Sequence, residues 1–171
     1  MSLRCTAGPR RTDNVLMGTL RDTRRLFGFD DWANGQVMRA LAPLEATAPT
    51  AVAWMGHVMA AKRLWFARVT QGTPPFSVNP DLTRAAIVHE LREAHDEWMR
   101  YLDGLRDDDL EGVIRYQNLK GEPFESPLGD ILTHLVLHGQ HHRGQCLAAI
   151  RQAGTAPPVI DFIHASRTGA I

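Results

Sequence analysis

Residues 126–154 read SPLGDILTHLVLHGQHHRGQCLAAIRQAG, and the period of this stretch decides the fold. Ser126 and Pro127 form an N-cap and first-position pair, and the helical pattern then continues to Ala153, with Gly154 as the stop and Pro157 and Pro158 beyond it. A helix advances about 100° per residue, which places Leu128, Ile131, Leu132, Leu135, Cys146, Ala149 and Ile150 within about 60° of one direction. A helix with one such apolar stripe must bury it against other elements.

Working outward, three more segments carry the same period. From about Thr19 to Leu41, Leu26, Phe27, Trp32, Val37, Met38 and Leu41 recur at helical intervals until Pro43. After Pro49, Thr50 is the expected N-cap of a second helix, AVAWMGHVMAAKRLWFARV (51–69), ending near Thr70. QGTPPFSVNP (71–80) is a loop by its three prolines and one glycine. Asp81 is the expected cap of a third helix bearing Leu82, Ile87, Leu91, Trp98, Leu102 and Leu105. Between residues 106 and 125, GVIRYQN and GEPF read as short extended pieces and a turn. The expectation is an all-α four-helix bundle with a long crossover before the last helix, an architecture that builds metal and cofactor sites from inward-facing side chains. Helix two is apolar on nearly every side, which suggests one face for the bundle and another for a second subunit.

Composition narrows the function. At 171 residues the chain has the size of one domain. Its 19 basic and 19 acidic side chains cancel, so neither nucleic acid nor an anionic membrane is an expected partner. Two cysteines, Cys5 and Cys146, make no disulfide framework, and no apolar run approaches the roughly 18 residues of a membrane span. A cytoplasmic protein is expected. The opening MSLRCTAGPRRT has three Arg, no acid and no apolar signal stretch, so residues 1–18 read as a flexible tail and 19–171 as the folded domain.

The chemistry concentrates in helix four. On its wheel, His142 falls near about 320° and His138 near about 280°, on the inner face and its flank, whereas His134 at about 240° and His141 at about 220° lie further out. Imidazoles at i and i+4 stack about 6 Å apart, which suits one divalent ion accepting a nitrogen from each. A tight site needs a third donor. His57 lies inside the apolar second helix, but the wheel of that helix leaves its direction open, and a lone histidine there is more often a hydrogen-bonded core residue.

HLVLHGQHHRGQ (134–145) resembles the fourth-helix motif of DinB-like proteins, in which histidines four residues apart run into His-Arg-Gly-Gln. DWANGQVMRAL (31–41) resembles the first-helix Trp-Ala-Asn signature of that family, and GHVMAAKRLWFARVTQG (56–72) its second-helix histidine followed by an aromatic residue. SPLGDILTH and RQAGTAPPVIDF fit the start and exit of its last helix, and the resemblance covers about residues 19–163. It implies a dimeric four-helix bundle holding a divalent metal through His57, His138 and His142, and the imidazole donors make zinc or nickel the expected ion. Three imidazoles leave a coordination position open, as in catalytic sites. Relatives use such centres to activate low-molecular-weight thiols, so the expected activity is that of a metal-dependent thiol S-transferase or a related enzyme acting through a thiol or water. The competing expectation is a non-catalytic helical dimer used for binding or scaffolding.

The remaining polar residues have plainer readings. Arg143 and Gln145 fall on opposite sides of helix four and are expected to pack and hydrogen-bond between helices. His134 is either a support for a ligand or a boundary residue, and His141 is expected in solvent. Cys146, central on the apolar face, reads as a small hydrophobe rather than a fourth ligand. His89, His95 and His164 are expected at the surface, and Asp103, Asp107, Asp108 and Asp109 in a solvated turn.

Overall fold

The structure, a computed structural model, describes residues 18–171; the expected N-terminal tail apart from Gly18, and Cys5 with it, lies outside the described residues. The chain is mostly helical. Helix α1 (Leu20–Leu41) runs into a short 3-10 turn (Ala42–Leu44), followed by α2 (Pro49–Thr70) and α3 (Arg84–Asp103). A second 3-10 turn (Asp107–Glu111) then leads to an antiparallel hairpin of β1 (Val113–Gln117) and β2 (Pro123–Pro127), then α4 (Leu128–Gln152) and a six-residue α5 (Phe162–Arg167). Helices α1 and α2 each pack against both α3 and α4, giving the ring α1–α3–α2–α4, and the hairpin carries the crossover from α3 to α4 along α2.

Three helix starts differ from the sequence reading. Pro49, not Thr50, opens α2, because its fixed φ and missing N–H suit the first position; Ala48 is the N-cap and offers no side-chain bond. Thr83, not Asp81, caps α3, its hydroxyl accepting from the Ala86 amide. Ser126 does not cap α4. It stays in β2 opposite Ile114, its hydroxyl 3.2 Å from that of Tyr116, while Pro127 becomes the N-cap and the Leu128 amide donates to the Gly112 carbonyl at 2.9 Å. The hairpin register thus takes over what Ser126 would have done. At the other end Gly154, at φ 79°, stops the helix as expected. Helix α5 has no counterpart in the sequence reading, since six residues with only Ala165 buried carry too little period to register.

The core forms two apolar clusters. One gathers Phe29, Val37, Leu41, Met55, Met59, Ile87, Leu91, Cys146 and Ile150; the other gathers Phe27, Trp98, Leu102, Leu128, Ile131, Leu132 and Leu135. Where they meet lies a buried polar group. Asp30 and Asn34 of α1, Lys62 of α2 and Arg143 of α4 are all at most 2% exposed. Asp30 pairs with both Lys62 and Arg143. Arg143 also donates to Asn34 Oδ1 at 2.8 Å and to Gln140 Oε1 at 3.1 Å, and Asn34 Nδ2 donates to Asp30 at 3.1 Å. Burial alone would raise the Asp30 pKa; the charges and hydrogen bonds of Lys62 and Arg143 outweigh it and hold the carboxyl below its ordinary value. The close approach of α1 to α4 depends on Gly139, where an added Cβ would stand 2.6 Å from Asp30 Oδ1 and 2.9 Å from Arg143 Nη1.

Candidate metal centre

Packing of α2 on α4 brings His57, His138 and His142 to one point. The ring centroids of His57 lie 5.0 Å from His138 and 4.8 Å from His142, and those of His138 and His142 are 4.6 Å apart. One donor atom from each residue falls within 4.8 Å of the others, and no other group of three potential ligands among the described residues does so. His57 Nε2 and His138 Nε2 are 3.2 Å apart. Zinc–nitrogen bonds of about 2.0–2.1 Å in a tetrahedron require donor separations of about 3.3–3.4 Å. This pair is already spaced to share an ion.

The hydrogen bonds around the rings decide which nitrogens face inward. His57 Nδ1 is 2.7 Å from the Val78 carbonyl, which can only accept, so Nδ1 carries the proton and Nε2 the lone pair. His142 Nδ1 donates in the same way to Gln145 Oε1 at 2.7 Å, freeing its Nε2. Both bonds fix ring orientation as well as tautomer, the task of groups that support metal ligands. Charge state agrees. Burial, then the neighbouring histidines 142, 57, 134 and 141, push His138 down to about 4; burial also lowers His142, against the bond to Gln145 and together with His57 and His141. Both rings are neutral near pH 7, as a nitrogen ligand must be. The donor set therefore fits a divalent ion.

Other residues fall into place around these three. Gln145 is not a packing residue between helices, as the sequence suggested, but the partner that orients His142 three positions earlier; the i, i+3 spacing was the available signal. The Val78 carbonyl had no signal, being a backbone atom of a loop. Arg143 is the inter-helix residue expected, fully buried against α1. His134 is exposed and makes no hydrogen bond to a ligand; its ring sits 5.6 Å from both Trp65 and His138, a boundary position. His141, His89 and His164 are exposed as expected, whereas His95 is half-buried with its Nδ1 unpartnered. Cys146 is fully buried, its thiol donating to the Ala51 carbonyl at 3.4 Å, and burial pushes it up to about 12, so it is a protonated apolar filler outside the ligand group. Three of the four carboxylates at the acidic turn have partners within the chain. Asp103 pairs with Arg24, Asp107 accepts from the Leu20 amide and Asp109 from the Arg106 amide.

A cavity of about 540 Å³ opens beside the centre, with His57 and His142 in its wall together with Trp54, Asn79 and Asp81. A larger cleft of about 920 Å³ lies between the end of α2 and the hairpin, but no histidine lines it. The smaller one is where a ligand would reach the imidazoles.

Fold and site together define a class: a mostly helical protein whose second and fourth helices converge three imidazoles on one point open to a cavity. Residues 26–168 match the DinB family, and the chain belongs to that family. Among curated proteins it is similar to Protein DinB of Bacillus subtilis (strain 168), 24% identical over 154 residues that cover 81% of this chain and 90% of that protein. No solved structure matches the chain.

Proposed function

We propose that the protein binds one divalent metal ion per chain, zinc or nickel, through His57, His138 and His142, and that the centre serves small-molecule chemistry of the thiol S-transferase kind. The observation that carries the first part is the pair of outward Nδ1–H bonds, from His57 to Val78 and from His142 to Gln145, which leave two lone pairs converging with His138. A bound divalent ion would supply Lewis acidity, lowering the pKa of a thiol or water in the open position. The chain supplies neutral imidazoles, fixed tautomers and a cavity with His57 and His142 in its wall. The second part draws support from family membership and the open wall of the site.

A homodimer in the cytoplasm belongs to the same proposal. No described helix is long and apolar enough to cross a membrane. Part of the second apolar face of α2 is covered within the chain, since Trp65 packs edge-on to Tyr116 of the hairpin at 4.9 Å. Leu137 on α4, 63% exposed, is an apolar residue left for a second copy.

Metal analysis of protein purified without chelator tests the centre. About one ion per chain is expected, together with its loss from the His138→Ala/His142→Ala variant and a lower melting temperature in EDTA. Retention of the ion by the double variant would overturn the ligand assignment. A wild-type protein that binds no metal and melts identically in EDTA would instead be the non-catalytic helical protein.

A further inference from the structure

The cavity beside the histidines has a charge pattern of its own. Trp54, Asn79 and Asp81 are among the residues that line it, an aromatic, an amide and an acid, while no Lys or Arg lines it. Asp81 makes no ion pair among the described residues. Nor does it cap α3, the role Thr83 fills, and it stands outside the group whose donor atoms lie within 4.8 Å. An acidic residue with no ion pair among the described residues thus lines the cavity that reaches His57 and His142. It is held on a loop containing Pro74, Pro75 and Pro80 and tied to the centre by the Val78–His57 bond.

Resting on the metal reading above, we propose that this cavity selects ligands carrying an anionic donor atom and an ammonium group a few bonds apart. The donor end faces a divalent ion held by three neutral imidazoles, whose whole charge is left for it to meet, so an anion is favoured there. The tail end meets the opposite sign. An ammonium group gains the Asp81 carboxylate and the face of Trp54, whereas a carboxylate or phosphate tail meets the charge of Asp81 with no guanidinium or ammonium in the wall to offset it. Small aminothiols and amino-acid-like ligands fit this pattern; thiols with several acidic groups do not.

Cobalt(II)-loaded protein can be titrated with cysteamine, mercaptoethanol and mercaptopropionate, three small thiols with cationic, neutral and anionic tails, by following the thiolate-to-cobalt absorption band. Their own acidities differ, so the quantity read is the affinity ratio of cysteamine to mercaptopropionate in the wild type, compared with the same ratio in Asp81→Asn. A fall of about fivefold is expected, the size of a partly exposed charge contact, with mercaptoethanol intermediate and cobalt content unchanged. An equal ratio in the two proteins would overturn the proposal, as would loss of cobalt from Asp81→Asn, which would make Asp81 a ligand. A wild type that takes up no cobalt fails differently: no band appears with any thiol, and the metal reading itself falls, taking this one with it.

Discussion

Replacing Asp30 with Asn tests the buried polar group where its magnitude is largest. Among the described residues, Asp30 is the one carboxylate paired with Lys62 and Arg143, and all three side chains are nearly devoid of solvent contact. Asn is isosteric, so packing is kept, yet two cations lose the anion they share. One of the amide's two ends also turns an N–H toward a cationic donor. Removing one partner of a buried ion pair costs about 3–5 kcal/mol. For a domain of this size each kcal/mol moves the melting temperature by about 2–4 °C, so a drop of at least 6 °C is expected near pH 7. Urea denaturation and calorimetry both read it. The pH dependence has a definite sign. The folded pKa of Asp30 is held below its unfolded value of about 3.9, so its stabilisation is present in full above that value and is lost as pH falls through the folded pKa. The gap between wild type and Asp30→Asn should therefore stay constant from about pH 5 upward and narrow below about pH 4. A loss under about 1 kcal/mol at pH 7, or a gap that widens in acid, would refute the reasoning.

Three further changes probe other contacts. Gln145→Leu removes the acceptor for His142 Nδ1 and should weaken metal binding about 10–100-fold by competition with a chromogenic chelator, leaving the melting temperature of the chelator-treated protein nearly unchanged. Gly139→Ala adds a Cβ within 2.9 Å of two buried polar atoms, and urea denaturation should show a loss of about 1–3 kcal/mol although Ala is the better helix former. Cys146 should resist a thiol reagent in the folded Cys5→Ser protein at pH 8 and react fully in denaturant, because it is buried and its thiol is pushed up to about 12.

The parts of this fold that a sequence shows are those with a period. The four long helices carry an apolar stripe over many turns, and each was legible to within a few residues at its ends. The exact starts of α2 and α4 were not, because Pro49 and the β1–β2 register settle them through backbone geometry that the cap residues alone do not express. The site divides in the same way. His138 and His142 announce themselves by spacing and by their side of α4. His57 does not, since α2 is apolar almost all round and only the packing of α2 on α4, with the Val78 carbonyl behind the ring, fixes where it points. Asp81 shows the converse. As a residue before a helix it read as a cap, but the hydroxyl of Thr83 two positions later takes that role, and Asp81 lines the cavity instead.

The order of residues in helix four now has a mechanical reason. Each of the two clustered histidines of α4 is followed directly by a residue committed to α1: His138 by Gly139, whose missing side chain admits Asp30, and His142 by Arg143, which pairs with it. Neighbours on a helix point about 100° apart. The two imidazoles can therefore face α2 while the two residues after them face α1, and Asp30 fixes the rotation of α4 that aims the imidazoles at His57. Asp30 touches Lys62 of α2 as well, so one carboxylate ties together the two helices that carry the donors. On this account Asp30→Asn should do more than lower stability. It should loosen the angle between His57 and the His138–His142 pair, and metal affinity should fall even at temperatures where the variant is fully folded. Unchanged affinity in folded protein would mean that packing of α2 on α4 alone holds the centre.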